Sequence, residues 1–99
     1  MLSADDIINS LVENKVYLKE HFHGSEIGLF GSFARNEQTE KSDIDILVEF
    51  ETGTPNLYHV EMELKEFLKK CFEREVDICS KKWIRPLFKP LVLKEAVYA

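Results

Sequence analysis

Ninety-nine residues, 44% hydrophobic and 31% charged, suit a single domain over 1–99 with a modest core. The net charge of −5 is unevenly divided: residues 1–79 carry 8 basic and 17 acidic side chains, and residues 80–99 carry 5 basic side chains against Glu95 alone. The main body therefore repels a nucleic-acid backbone, and direct nucleic-acid binding is not expected.

The start, "MLSADDIINS", is polar and acidic and lacks the cationic stretch and apolar run of a signal peptide. No apolar run nears the roughly 20 residues of a membrane span; a cytoplasmic location with no membrane attachment is the expectation. Ser3 with Asp6 makes a capping-box pattern. Ile7, Ile8, Leu11, Val12 and Leu18 follow at helical spacing, which predicts a helix over 4–22 that stops at Gly24. "EIGLF", 26–30, reads as a buried strand ended by Gly31. "SFARNE" predicts a brief helix beginning at Ser32, and "QTEKS" a polar loop.

"DIDILVEF", 43–50, alternates: Ile44, Ile46, Val48 and Phe50 on one face, Asp43, Asp45, Leu47 and Glu49 on the other. "ETGTPN" is turn chemistry. Leu57, Val60, Leu64, Phe67, Leu68, Cys71 and Phe72 form one helical stripe over 57–72. "EVDIC", 75–79, is a third strand, with Val76 and Ile78 turned away from Asp77. In the tail, Pro86 opens a short helix that Pro90 limits or kinks. This order predicts an α+β fold, a small three- or four-stranded sheet backed by helices. Cys71 and Cys79 are expected as buried free thiols. His21, His23 and His59 lack ligand spacing.

Two aspartates on one strand face raise a chemical question. Residues i and i+2 of a strand share a face with Cα atoms roughly 6.5–7 Å apart, so Asp43 and Asp45 converge, and like charges that close repel. A divalent cation removes that penalty. Mg²⁺ takes oxygen ligands and is commonly held by one or two carboxylates plus substrate phosphates. Asp77 completes the set if its strand is a neighbour, and three carboxylates suit a two-metal site, with ions roughly 3.5–4 Å apart, for displacement at phosphorus. Gly31-Ser32 supplies a place for phosphate: a backbone open to close approach, N–H donors at the following turn and a hydroxyl. Arg35 lies about one turn on. An EF-hand is excluded because its fifth loop position would be Leu47. No G-x-x-x-x-G-K-[ST] exists, and "GLFG" is no dinucleotide fingerprint.

The stretch "LFGSFARNEQTEKSDIDILVEF" resembles the signature of the nucleotidyltransferase superfamily that includes DNA polymerase beta. The whole chain resembles the minimal nucleotidyltransferases: "EVDIC" is similar to their third-carboxylate strand and "PLVLKEAVYA" to their C-terminus. The resemblance implies a mixed sheet and Mg²⁺-dependent transfer of a nucleoside monophosphate, AMP from ATP, with Mn²⁺ as the alternative ion. Carried over by position, Gly31 and Ser32 touch the triphosphate, with Arg35 and Ser42 in the nucleotide-binding group. Asp43 and Asp45 ligate metal, and Asp77 ligates one ion and helps activate the acceptor hydroxyl. Asn36 and Glu73 depart from the family, which often has glycine at both places.

Members of this group are often antitoxins paired with a small all-helical HEPN ribonuclease, and some neutralise it by adding AMP to a tyrosine. The resemblance therefore implies a HEPN-type toxin as partner. Three functions stay open: modification of that partner, occlusion of it without catalysis, and transfer to a small molecule, which the short chain disfavours. A homodimer is compatible with the sequence. Lys81, Lys82, Arg85 and Lys89, with Trp83 and Phe88 interleaved, are the candidate partner contact; the alternative places both aromatics in the core and leaves the lysines as a solvated face.

Overall fold

The computed structural model describes residues 2–99. The capping box is formed: the Asp6 N–H donates to the Ser3 hydroxyl at 3.2 Å, and the Ser3 N–H donates to the Asp6 carboxylate at 3.0 Å. It starts α1 (Ala4–Glu13). The helix expected over 4–22 is in fact two. At Asn14 (φ −98, ψ 8) both the backbone N–H and the side-chain amide donate to the Ser10 carbonyl, at 3.1 and 2.8 Å. A short amide side chain competing for a helical carbonyl breaks the helix there, and α2 (Lys15–Phe22) follows. Its stop is one residue earlier than expected: His23 takes the left-handed conformation (φ 57), and Gly24 already belongs to β1 (Gly24–Phe30).

β1 leads through α3 (Gly31–Ala34) and a loop to β2 (Ile44–Phe50), its antiparallel neighbour. β2 passes through α4 (Leu57–Phe72) to β3 (Val76–Ser80), which pairs parallel with it. A 3₁₀ turn (Lys81–Trp83), α5 (Lys89–Glu95) and β4 (Val97–Tyr98) end the chain. The sheet is mixed, in the order β3-β2-β1-β4. β4 is two residues long, too short for alternation to show. Gly28 marks where it docks: a Cβ there would lie 3.0 Å from the Tyr98 ring and from the Val97 carbonyl, and a glycine inside a strand often records such close approach.

Ile7, Leu11, Leu18 and Phe22 from α1 and α2, and Leu64 and Leu68 from α4, cover one face of the sheet, where Ile27, Leu29, Ile44, Ile46, Val48 and Val76 are buried. The alternation of β2 holds, with one addition. Leu47, on the aspartate face, is also buried, at 1% exposure, yet lies outside the helix-side core. Cys71 is exposed and Cys79 half-buried; Cys71 sits on the last turn of α4, beyond the buried Leu68. Pro90 does not kink a helix. It stands in the first turn of α5, where a missing N–H costs nothing.

Asn36 (φ 58) and Glu73 (φ 51) both take the left-handed conformation. That explains why glycine suits these places. A side chain there costs roughly 1–2 kcal/mol, less for Asn. Glu73→Gly should therefore raise stability by about 1 kcal/mol in urea unfolding; a loss of stability would show that the Glu73 side chain contributes more than its backbone costs.

Candidate active site

Three chain segments meet at one end of the sheet. The first is the exit of β1. Gly31 has φ +75, and a Cβ built on it would lie 2.9 Å from Cγ of Asp45 and closer still to a carboxylate oxygen. Glycine is thus required twice, by conformation and by the carboxylate against its backbone. The register agrees, because Phe30 is paired with Asp45. Phe33, fully buried, anchors the short turn of α3, and Ser32 is half-buried beside Gly31.

The second and third segments are the starts of β2 and β3. Parallel pairing sets Asp45 directly opposite Asp77. Both project away from the core that Ile44, Ile46 and Val76 fill. Asp43 lies just ahead of β2, exposed. Asp45 is half-buried, and its carboxyl is pushed up to about 6 by burial first, then by the charges of Asp77 and Asp43, with Arg35 pulling it back. One carboxylate thus feels both others. Among the described residues, no three histidine, cysteine, aspartate or glutamate side chains are gathered tightly enough to cage a metal ion. Register and face unite Asp45 with Asp77, and Asp43 joins them through its charge on Asp45.

The other expected residues are placed differently. The Arg35 guanidinium lies 3.0 Å from Glu95 on α5 and 3.3 Å from Glu37, so it joins α3 to the tail while remaining within reach of Asp45's field. The Ser42 hydroxyl accepts from the Thr39 N–H at 2.8 Å; it closes the turn that delivers the chain to Asp43. Sequence reasoning missed Glu95 and Arg74. Arg74 donates to two carbonyls of that same turn, at 3.1 and 3.0 Å. Its only sequence signal is a basic residue just ahead of the third strand, which no spacing rule singles out. A cavity of about 500 Å³ lined by Glu49, Thr52, Ser80, Lys81, Lys82 and Lys89 lies at the far end of β2 and β3, away from the carboxylates.

A family profile described as nucleotidyltransferase domain matches residues 12–99. The chain belongs to that family. A relative named protein adenylyltransferase MntA, from Thermococcus cleftensis, is 40% identical over 98 residues, covering 99% of this chain and 97% of its own. A solved structure described as a candidate minimal nucleotidyltransferase superposes with a TM-score of 0.77 at 32% identity, covering 97% of this chain and 95% of that one. A toxin–antitoxin crystal structure with AMP-PNP superposes with a TM-score of 0.68 at 26% identity, covering 87% of this chain and 70% of that one. The protein is a nucleotidyltransferase, and the resemblance read from its motifs holds over nearly the whole chain.

Two outcomes follow from the contacts of Asp45 within this nucleotidyltransferase. Gly31→Ala meets Asp45 directly, so it should destabilise by about 1–2 kcal/mol or more, and part of that loss should vanish in an Asp45→Ala background. A coupling within roughly 0.5–3 kcal/mol is expected; strictly additive unfolding energies would contradict the contact.

The second concerns pH. Folded Asp45 holds its proton to about 6, against an ordinary value of 3.8. The folded state therefore binds more protons between these values, and stability falls as pH rises through that window. Asp45→Asn removes the penalty. With a chelator present, the variant's urea midpoint should exceed the native one at pH 7.5, and the gap should close towards pH 4. A gap as large at pH 4 would rule out this cause.

Proposed function

We propose that this nucleotidyltransferase moves AMP from ATP to a hydroxyl of a partner protein, with Mg²⁺ held by Asp43, Asp45 and Asp77, and that the partner is a HEPN-type toxin it neutralises. The observation that carries the reading is Asp45 facing Asp77 across the parallel pair, with Gly31 packed against Asp45. The donor set suits the ion: all oxygen, all anionic, and open to phosphates for the remaining positions. When bound, Mg²⁺, or Mn²⁺ in its place, supplies positive charge where triphosphate and acceptor oxygen meet.

The chain's own residues do the rest. Gly31 lets a phosphate approach the backbone, and the Ser32 hydroxyl donates to a phosphate oxygen. Asp77, exposed at the start of β3, is placed to accept the hydrogen bond of the acceptor hydroxyl. Arg35 exchanges Glu95 for a phosphate. Ser42 contributes through its turn, which sets the backbone of Asp43.

A protein acceptor is supported by the tail. Trp83 is 70% exposed, Leu87 83%, Phe88 49% and Leu91 57%, among Lys82, Arg85 and Lys89. Trp83 and Phe88 are therefore not core residues. Four large apolar side chains within nine positions, set among cations, fit a protein surface that is apolar and acidic. The segment starts at the far end of the sheet, where Lys82 and Lys89 line the cavity, and α5 carries the chain on from it to Glu95, which pairs with Arg35. An acceptor must be held in line with the reacting phosphorus, and a docked protein supplies that hold. The relatives named protein adenylyltransferase MntA and toxin–antitoxin with AMP-PNP point the same way.

Co-expression with a small all-helical ribonuclease of the HEPN type tests the proposal. Intact-mass measurement should show that protein gaining one or more AMP units, and Asp45→Asn should slow the gain on the order of 10²-fold or more. A stable complex with no gain would mean neutralisation by occlusion. Neither gain nor complex would defeat the partner assignment.

A further inference from the structure

Asp45 and Asp77 lie inside paired strands, so the ladder itself sets their positions. Asp43 does not share that support. It lies one residue ahead of β2, and the bond from the Ile44 N–H to the Glu75 carbonyl, 3.0 Å, comes after it. Something else must place the first carboxylate.

Arg74 stands on the short link between α4 and β3. Its Nη1 donates to the Thr39 carbonyl at 3.1 Å and to the Ser42 carbonyl at 3.0 Å, and its guanidinium lies 5.2 Å over the ring of the buried Phe33. The turn it grips is already closed on itself: the Ser42 N–H donates to the Thr39 carbonyl at 3.1 Å, the Thr39 N–H to the Ser42 hydroxyl at 2.8 Å, and the Lys41 N–H to the Thr39 hydroxyl at 3.3 Å. The turn therefore moves as one piece, and the cation docks that piece onto α3 and the start of β3. The Ser42 carbonyl belongs to the peptide that Asp43 completes, so fixing it fixes the plane from which the Asp43 side chain departs.

We propose that Arg74 is the positioning residue for Asp43, bringing it into register with Asp45 and Asp77, which the sheet places unaided. The inference rests on the reading of these carboxylates as the reacting site. Arginine suits the task where lysine does not: its charge strengthens both carbonyl bonds, and its flat face stacks on Phe33. The same residue ties the two halves of the trio together, one residue before Asp43 at one end and three before Asp77 at the other.

The test is hydrogen exchange together with transfer kinetics on Arg74→Met, with Arg74→Lys as the milder variant should Arg74→Met not fold. Amides of residues 39–44 should exchange roughly tenfold or more faster, the size expected for losing bonds to a charged donor, while the strands keep their protection. The kcat for transfer should fall roughly 10- to 100-fold, as for a misplaced group, with KM for ATP unchanged because Gly31 and Ser32 are untouched; Arg74→Lys should be intermediate in both readouts. Unchanged exchange at 39–44 overturns the proposal whatever the activity. So does faster exchange with native kcat, or faster exchange spread over the whole sheet. If the native enzyme shows no transfer at all, the reading of the carboxylates fails instead, and the exchange experiment still decides whether Arg74 holds the turn.

Discussion

The pairing of Asp45 with Asp77 across β2 and β3 is the constraint around which this molecule is arranged. Two carboxylates side by side repel, and one of them is half-buried. The sheet holds them there because the same register buries Ile44, Ile46, Val48 and Val76 on the other face. A slip of either strand by one residue would turn its aspartate into the core and its apolar residues outward. The hydrophobic face therefore enforces an electrostatic arrangement that the carboxylates alone would not adopt. The charge cost stays small against the burial of four aliphatic side chains, each contributing about 1.5–3 kcal/mol when fully removed from water.

The strand order gives this pair its surroundings. β2 lies between an antiparallel and a parallel neighbour, so the end of β1 and the starts of β2 and β3 fall at one edge. Gly31 arrives from the first and the aspartates from the other two. In open parallel sheets, ligands sit beyond the carboxyl ends of the strands. Here the corresponding end of the parallel pair carries the lysine-lined cavity instead, and the carboxylates occupy the opposite end. The antiparallel β1 makes the difference, because it brings its own exit, with the glycine turn, to the edge where β2 and β3 begin. α5 returns to this edge through Glu95 and Arg35, while Lys82 and Lys89, flanking the exposed aromatics, stay with the cavity at the other end.

Much of this was legible in the residue pattern because it depends on local periodicity. The helix over 57–72 and the capping box at Ser3 were found as read, and the alternation of β2 already separated aspartates from core. What the pattern hid depends on contacts distant in the chain or on single side chains. Asn14 splits a helix whose apolar spacing runs through it. β4 exists because Gly28 leaves room for Tyr98. Arg35 is occupied by Glu95, sixty residues on, and Arg74 reaches back to Thr39 and Ser42. Composition could not decide between an interior and an exterior Trp83 either, since an aromatic among lysines suits both; the short, proline-bounded tail leaves it outside. The substitutions at Asn36 and Glu73 looked like departures in loop chemistry and proved to be left-handed positions filled without glycine.

In the proposed function, the three carboxylates act together on a metal–nucleotide substrate. Titration of Mn²⁺ into the protein, with and without a non-hydrolysable ATP analogue and read by the electron-spin signal of the free ion, measures this most directly. The native protein should bind the ion more tightly with the analogue present, and Asp77→Asn should weaken that binding by roughly tenfold or more, a loss that even outer partners of a metal site can produce. Equal affinity in the native and Asp77→Asn proteins would mean that Asp77 faces Asp45 for some purpose other than holding the metal.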